Sequence, residues 1–262
     1  MKIQLLGTGT STGVPQLGCR CEVCTSTDPR DKRLRCSALI EVPDSSADEG
    51  VRRILIDCGP DFRQQMLNID FKPLDAIFIT HEHYDHVGGL DDLRPFSIFG
   101  QVVVYAEKYC ADHLRERIPY CFTPKEKRYP GVPSIDLEDI LPHVPVKVGQ
   151  VEVLPIRVLH GQLPILGFRM GDFAYITDMK TIPDSELPLL QGLRCLVLNG
   201  LRHESHPSHQ TIEDAIHFAQ TLESPETYLI HMSHHIGLHA REDALLPPHV
   251  HLAYDGQTII YE

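Results

Sequence analysis

Residues 80–89 read THEHYDHVGG and constrain the fold of this chain more than any other stretch. Three imidazoles and one carboxylate follow directly after a short apolar run, which predicts a buried strand. In an extended segment, residues two apart share a face, so His81 and His83 can chelate one ion. Asp85 and His86, where the chain turns, can address a second ion. A solvated histidine-rich turn is the alternative. The sequence predicts a metal site at the end of a strand.

Length and charge limit the function classes. The chain has 262 residues, and we expect a single domain over residues 1–262 because its motifs come from both halves. The 24 basic and 36 acidic residues give a formal charge of −12, which opposes a general attraction to nucleic acid or to an anionic membrane. A small phosphorylated substrate remains compatible, since metal cations would dominate the local field.

The first residues, MKIQLLG, form an apolar run too short for a signal peptide or a membrane span, so we expect a cytoplasmic protein. Cysteines in that compartment are usually thiols or metal ligands. Cys19, Cys21 and Cys24 have the spacing Cys-x-Cys-x-x-Cys, which indicates a structural zinc site short of its fourth ligand; three ordinary cysteines are the alternative. The remaining five cysteines are expected to be small core residues.

Apolar and alternating runs predict many strands and few helices. Helices are expected over 62–67, 107–118 and 212–222, with Ser208 or His209 as the N-cap of the last one. The stretch 119–145 is expected to be irregular because it is rich in proline and mixed charge. Strands are expected at 2–9, 37–42, 53–56, 76–79, 102–105, within 146–158, and at 165–170, 173–176, 195–199, 227–230, 250–253 and 258–261.

Further polar side chains follow predicted strands. His160, Asp178 and His231 each come at a strand end, and this repeated pattern fits a shared centre better than three separate structural roles. Asp57 either accepts a hydrogen bond from a ligand histidine or caps its turn. Arg94 is a candidate for holding a substrate phosphate or carboxylate, although a salt bridge to a neighbouring aspartate is the favoured alternative.

The ordered set of His-x-His-x-Asp-His and three distant strand-end ligands resembles the metallo-β-lactamase superfamily over nearly the whole chain. More narrowly, TGTS at 8–11, the cysteine motif, IDCGPDFR at 56–63 and HMSH at 231–234 are similar to PhnP-type cyclic phosphodiesterases, relatives of the tRNA 3′-processing endonucleases. The resemblance implies an α/β fold, the four-layer αββα sandwich in which two β-sheets are flanked by helices.

The resemblance also implies the ligand sets. One metal would be bound by His81, His83 and His160, the other by Asp85, His86 and His231, with Asp178 bridging the two. Both ions would be zinc or manganese, and a hydroxide bridging them would attack phosphorus. Asp85 is accordingly expected among the catalytic residues as well as among the ligands. His234 would complete the structural zinc site of Cys19, Cys21 and Cys24.

In the phosphodiesterase branch, a histidine before a helix protonates the leaving alkoxide. The matching residue is His209, which we favour over His203 and His206 because of its place relative to the predicted helix. The helix dipole there is expected to lower its pKa.

The sequence predicts a dinuclear metal-dependent hydrolase that cleaves a small or cyclic phosphodiester. Alternatives are a thioesterase or lactonase on the same fold and a non-catalytic accessory protein of cofactor biosynthesis. A tRNA endonuclease is disfavoured, because only residues 161–177 separate the third and fourth motifs and leave no room for a tRNA-gripping arm. We expect no membrane partner and no extended nucleic acid, and a homodimer is left open.

Overall fold

Two seven-stranded sheets pack against each other in the computed structural model, which describes residues 1–123, 125–127, 129–222 and 226–261. The first sheet has the order β14-β1-β2-β3-β4-β5-β6 and consists of β1 (Lys2–Gly7), β2 (Ser37–Pro43), β3 (Val51–Ile56), β4 (Ala76–Phe78), β5 (Val102–Glu107), β6 (Ile135–Ile140) and β14 (Thr258–Ile260).

The second sheet has the order β13-β12-β11-β10-β9-β8-β7. It consists of β7 (Val146–Val148), β8 (Val151–His160), β9 (Leu163–Met170), β10 (Phe173–Ile176), β11 (Cys195–Asn199), β12 (Glu226–Ile230) and β13 (Val250–Leu252). In each sheet one half is antiparallel and the other parallel: β3 to β6 run parallel in the first sheet, and β10 to β13 in the second.

The α-helices of the described residues are α1 (Glu22–Thr25), α2 (Phe62–Met66), α3 (Tyr84–Val87), α4 (Lys108–Arg117), α5 (Ile212–Thr221) and α6 (His239–Asp243). Of these, α2, α4 and α5 cover the outer faces of the sheets. Short 3₁₀ segments lie at Pro29–Asp31, Leu90–Phe99, Pro119–Phe122, Lys125–Lys127, Asp184–Leu190 and His234–Ile236. None of the helices in the described ranges is long and apolar enough to cross a membrane.

Three apolar clusters account for the layers. The central one joins inward side chains of both sheets, such as Ile54 and Phe78 from the first and Phe168 and Tyr175 from the second. A second cluster packs the outer face of the first sheet against α2 and α4, and a third packs the outer face of the second sheet against α5. The order helix, sheet, sheet, helix confirms the predicted αββα sandwich. The five cysteines outside the motif are buried, as expected.

Two local predictions are wrong. The stretch 119–145 is not wholly irregular, because Ile135–Ile140 forms β6, a parallel edge strand on β5. Because β6 lies at the edge of the sheet and is only partly buried, it can carry acidic side chains. Its composition therefore did not predict a strand. The N-cap of α5 is Thr211 rather than Ser208 or His209. Thr211 and Asp214 form a reciprocal capping box, so His209 precedes the helix instead of beginning it.

Candidate metal centre

Polar side chains converge where strands of both sheets end at a common edge. In the first sheet, His81 and His83 follow β4, and Asp85 and His86 lie in α3 directly after them. The second sheet contributes three more residues, which end β8, follow β10 and follow β12: His160, Asp178 and His231. Parallel strands whose carboxyl ends share an edge place such residues together, which is why a chain with widely spaced motifs can build one site.

Three histidines form the first group. The ligand nitrogens of His81, His83 and His160 lie within 4.8 Å of one another. His81 Nε2 is 2.9 Å from His83 Nδ1. The first sheet supplies the two residues on one extended segment, as the i, i+2 spacing predicted, and the second sheet supplies the third.

A second group, buried, consists of Asp85, His86, Asp178 and His231, whose ligand atoms also lie within 4.8 Å of one another. Asp178 lies between the two groups: its carboxylate oxygens are 3.2 Å from His231 Nε2, 3.4 Å from His86 Nε2 and 3.9 Å from His81 Nε2. Asp178 is therefore placed where a carboxylate could address both sets at once.

Hydrogen bonds from the protein determine which imidazole nitrogen faces the centre. His86 Nδ1 is 2.7 Å from Asp57 Oδ2, His160 Nδ1 is 2.9 Å from the Ser208 carbonyl oxygen, and His81 Nδ1 is 3.0 Å from Thr80 Oγ1. Because each acceptor takes the proton of Nδ1, each Nε2 keeps its lone pair for a metal ion. The contribution of Ser208 could not be predicted from the sequence, because any residue can supply a backbone carbonyl.

Asp57 lies against a candidate ligand histidine, the first of the two roles that the sequence left open. One carboxylate oxygen accepts from His86, and the other accepts from the backbone N–H of Thr80 at 2.9 Å. Burial raises the pKa of Asp57, against the opposing effect of His86. Asp57 therefore orients a candidate ligand and closes the turn that leads to the histidine motif.

Three residues of the centre adopt left-handed backbone conformations. Asp57, Asp178 and His231 have φ values of 60°, 59° and 58°. For non-glycine residues this region costs roughly 1–3 kcal/mol each, and such residues concentrate at functional sites. Each of the three closely follows a strand, and its left-handed conformation changes the direction of the chain there. The side chain then lies at the edge where the strands of both sheets end.

Charge pairing inside the second group is strong. Burial opposes ionisation of Asp178, yet His231 and His86 hold its pKa well below its usual range. Burial likewise opposes a charged His231, but Asp178 and Asp85 raise its pKa to about 9. The carboxylates of this group therefore favour protonation of the neighbouring imidazoles. A divalent cation would compete with those protons for the same ligand atoms.

The donor set fits divalent metal ions. Although carboxylate oxygens lie nearby, His86 Nε2 and both ring nitrogens of His231 make no hydrogen bond to any described residue, and all three are buried. Buried polar atoms without partners are rare and call for a specific explanation. Imidazole and carboxylate together suit zinc, and the carboxylates also suit manganese.

A second cluster joins the cysteine motif to the segment after β12. Cys19, Cys21, Cys24 and His234 bring their ligand atoms within 4.8 Å of one another, and His234 Nδ1 is 3.3 Å from Cys21 Sγ and 3.4 Å from Cys19 Sγ. A hydrogen bond from the backbone of Cys24, assisted by His234, lowers the pKa of Cys21 to about 6. Thiolate character of this kind is what a zinc ligand requires.

The three histidines before α5 have different environments. His209 is 8% exposed, and its ring centroid lies 4.5 Å from that of His160 and 4.7 Å from that of His231. His206 is half-buried and lies 5.0 Å from His209. His203 is exposed and is bound by Glu213, with Nδ1 2.6 Å from the carboxylate. The centre therefore includes His209, has His206 at its rim and leaves His203 outside.

The expected cause of the His209 pKa shift is wrong, because His209 lies before the N-cap of α5. Burial lowers the pKa of His209 to about 3, and the positive charge of His231 adds to this effect. Its Nδ1 is buried without a hydrogen-bond partner among the described residues.

Arg94 is engaged elsewhere. It forms two hydrogen bonds to Asp91, at 2.7 and 2.9 Å, and donates to the Gly131 carbonyl. This is the salt bridge that the sequence favoured over a substrate contact, and it stabilises the 3₁₀ segment at Leu90–Phe99.

The Gly-rich loop after β1 passes close beneath the centre. A Cβ on Gly7 would lie 2.0 Å from the Arg35 carbonyl oxygen, so this position tolerates only glycine. Thr8 and Thr10 then hydrogen bond to both sides of Met232, at 3.0 and 3.1 Å. The loop therefore supports the residue next to His231.

Comparison with known proteins agrees with this architecture. A model of the beta-lactamase superfamily domain matches residues 52–232. The chain belongs to the metallo-β-lactamase superfamily. Within the superfamily it lies in the PhnP branch: a diphosphatase from the PhnP family is 35% identical, with a TM-score of 0.88, and the match covers 100% of this chain and 98% of that one. Zn²⁺-bound PqqB from Methylobacterium extorquens shares the superfamily fold at 18% identity, with a TM-score of 0.79 and 100% coverage of both chains.

A curated relative is longer than this superfamily member. A protein of Porphyromonas gingivalis named octanoyltransferase is 49% identical over 100% of this chain, but the match covers only 52% of that relative. The chain thus spans about half the length of this relative. This chain itself has the metallo-β-lactamase fold and clustered histidine and aspartate side chains that could hold metal ions.

Proposed function

We propose that the chain is a dinuclear metal-dependent phosphodiesterase that acts on a small phosphodiester. The carrying observation is that His209 lies against two of the candidate ligands, His160 and His231, while its own Nδ1 has no hydrogen-bond partner among the described residues. A buried imidazole with an unpartnered ring nitrogen beside a candidate metal centre is suited to proton transfer at the reacting group. Ester and thioester hydrolysis makes less demand on such a residue when the leaving group is a good one.

The proposed ligand sets follow the two groups. His81, His83 and His160 would hold one ion; Asp85, His86 and His231 would hold the other, and Asp178 would serve both. Divalent ions bound there would activate water as a nucleophile and stabilise negative charge on a phosphoryl group. Asp57, Thr80 and Ser208 would keep the imidazole rings in the tautomer that leaves Nε2 unprotonated.

His209 would protonate the leaving oxygen. With its pKa lowered to about 3, His209 is neutral at pH 7, and a neutral imidazole is a poor acid. The negative charge of a bound phosphodiester would raise that pKa, since a nearby opposite charge favours the protonated form. The acid would therefore form when substrate is present, which limits unproductive protonation of the free centre.

Metal analysis of the purified protein, together with a substrate panel, tests this proposal. We expect three metal ions per chain, two at the centre and one zinc at the cysteines, and hydrolysis of bis(p-nitrophenyl) phosphate and cyclic nucleotides that chelators abolish. Elemental analysis and phosphate-ester assays are the measurements. One zinc ion only, with no hydrolysis of any phosphodiester after incubation with zinc or manganese, would refute the dinuclear phosphodiesterase.

A second candidate is hydrolysis of an acyl ester or thioester at the same centre. The observation that favours it is the name octanoyltransferase carried by the longer relative. That activity belongs to a protein of which this chain matches about half, so it supports an acyl substrate only indirectly. Octanoyl thioesters in the same panel decide between the two: faster turnover of thioesters than of every phosphodiester would favour the acyl hydrolase.

We also propose a structural zinc at Cys19, Cys21, Cys24 and His234. His234→Ala should remove one zinc ion per chain and lower kcat by about ten- to a hundredfold, the usual effect of disturbing residues that support a metal centre. The physical reason is that residues 231–234 run continuously from the centre to the cysteine cluster. Elemental analysis and steady-state kinetics measure both effects.

His235→Ala is the matched control, because His235 is the exposed neighbour of His234 and does not belong to the cysteine cluster. Equal zinc content in His234→Ala and wild type would contradict the assignment of the fourth ligand. Loss of zinc with unchanged kcat would contradict the mechanical link to His231.

A further inference from the structure

Three thiols lie together at a place that solvent reaches. The sulfur atoms of Cys19, Cys21 and Cys24 lie within 4.8 Å of one another and of a ring nitrogen of His234. Cys19 and Cys21 are partly exposed, whereas Cys24 is buried. A cleft of about 350 Å³ opens beside Cys21 and His234, which both line it. A small solute can therefore reach Cys21 from outside.

The five other cysteines are shielded from solvent. Each is at most 3% exposed; they are Cys36, Cys58, Cys110, Cys121 and Cys195. Burial raises the pKa of the thiols of Cys58, Cys110 and Cys195 above the ordinary value. The thiolate is the reactive form of cysteine, so buried thiols of this kind are inert. An oxidant should therefore act on the cysteine cluster before it acts on any other thiol of the chain.

Within the cluster, Cys21 and Cys24 are the pair best placed to form a bond. Only two residues separate them, and the Cys24 backbone N–H donates to Cys21 Sγ at 3.5 Å. A disulfide bond measures about 2 Å between its sulfur atoms, so these two sulfur atoms must approach by less than about 3 Å. Rotation of the cysteine side chains between staggered rotamers supplies a movement of that kind. The bond therefore needs no rearrangement of either sheet.

The segment that carries these cysteines has a small core. Its apolar cluster of buried residues consists of Val14, Val23 and Cys24, and Leu17 in the same segment is 96% exposed. The helix α1 has only four residues. A core of this size does not stabilise a fold without a metal or a covalent link. A bond that takes two of the four proposed zinc ligands would therefore loosen the segment and free His234.

We propose that Cys21 and Cys24 are a site of reversible oxidation by hydrogen peroxide, and that their disulfide opens the cysteine cluster. The Cys21 thiolate attacks one peroxide oxygen: an S–O bond forms, the O–O bond breaks and hydroxide leaves. The Cys24 thiolate then attacks the Cys21 sulfur, so an S–S bond forms and the S–O bond breaks with loss of a second hydroxide. Two thiolates thus supply the two electrons that reduce the peroxide. An external dithiol reverses the step by thiol–disulfide exchange.

The disulfide leaves Cys19 and His234 as the remaining ligands of the proposed structural zinc. Structural zinc is bound by four ligands, so the ion should be released. Residues 231–234 run from the candidate centre to the cysteine cluster, so a freed His234 should disturb His231. We therefore expect oxidation to lower kcat by about ten- to a hundredfold, as in His234→Ala. This expectation rests on the structural zinc and on the phosphodiesterase function proposed above, whereas formation of the disulfide does not.

Zinc release and peptide mapping of the zinc-loaded wild-type protein test the site. After treatment with hydrogen peroxide, a chromogenic chelator measures released zinc, and mass spectrometry of alkylated, non-reduced tryptic peptides locates the disulfide. Because Arg20 separates Cys19 from Cys21, a disulfide between Cys21 and Cys24 stays inside one peptide, whereas any bond to Cys19 joins two peptides. We expect the single-peptide disulfide, release of the cysteine-bound zinc and reduced thiols at the five buried cysteines. Dithiothreitol with added zinc should reverse both changes.

Cys21→Ser should release zinc at least about tenfold more slowly under the same treatment, since it lacks the attacking thiolate. Cys195→Ala, which removes a buried thiol of β11, is the matched control and should behave as the wild-type protein. A bond to Cys19, earlier oxidation of a buried cysteine, or intact thiols at Cys21 and Cys24 would overturn the site. If Cys21→Ser does not fold or does not bind zinc, the peptide map of the wild-type protein decides.

The measurements separate this site from the other proposals. A wild-type protein without zinc at the cysteines would refute the structural zinc, and one that hydrolyses no phosphodiester would refute the proposed function. In both cases the peptide map still supports or overturns the oxidation site. Zinc release with unchanged kcat would contradict the link from the cysteine cluster to His231.

Discussion

Replacing His209 by alanine is expected to slow hydrolysis of phosphodiesters with alkyl leaving groups by about 10²- to 10⁴-fold, the range for loss of a positioned acid. An alkoxide is too basic to leave unprotonated, whereas p-nitrophenolate leaves readily. The same variant should therefore hydrolyse bis(p-nitrophenyl) phosphate at a rate much closer to that of the wild-type protein. The comparison of kcat for the two substrate classes isolates proton transfer from other defects.

Metal content separates the acid role of His209 from a ligand role. His209 brings a ring nitrogen within 4.8 Å of ligand atoms of His160 and Asp178, so the geometry also permits it to bind metal. The acid role predicts unchanged metal content in His209→Ala by elemental analysis. Loss of metal would assign His209 a ligand role, and an equal loss of rate on both substrate classes would contradict the acid role. His203→Ala is the matched control, because His203 is engaged by Glu213 on the surface.

Asp178→Ala is expected to remove the metal ions of the centre and to lower kcat/KM by about 10³-fold or more, since the metal charge contributes several kcal/mol to transition-state stabilisation. Among the described residues, Asp178 is the one carboxylate with oxygens within 3.9 Å of ring nitrogens of His81, His86 and His231. Without the Asp178 carboxylate, the imidazoles of both ligand groups would lack the negative charge that helps to bind a cation. Metal binding by both groups should therefore be weakened.

Elemental analysis should show that Asp178→Ala keeps only the zinc of the cysteine cluster. Asp184→Ala, at an exposed position of the second half of the chain, is the control and should keep all metals and full activity. Retention of both central ions by Asp178→Ala would contradict its placement between the two ligand groups. Circular dichroism of both variants checks that the sheets are still formed.

The residues that the structure brings together at the candidate centre carry local sequence signals. His81, His83, Asp85 and His86 are unusual in their spacing, and the three distant residues each follow an apolar run that has a strand signature. The role of Asp57 could not be resolved, since one aspartate after a strand is compatible with either role until the fold brings His86 and Thr80 to it.

Other features depended on contacts that no local pattern encodes. β6 is acidic and became visible only through its pairing with β5. The α5 N-cap was misplaced because Ser208, His209 and Thr211 are all close to the predicted start, and only the reciprocal bonds of Thr211 and Asp214 decide among them. The pKa of His209 depends on burial, which a helix-dipole argument does not include.

The left-handed conformations of Asp57, Asp178 and His231 have a consequence for descent with modification. Glycine would relieve the backbone at each of these positions, so mutation should favour it wherever the side chain has no use. A lineage that abandoned metal chemistry would gain stability by drifting in that direction. In a related sequence, glycine at all three positions would therefore be expected where the centre has lost its use, and the backbone path could persist without the side chains.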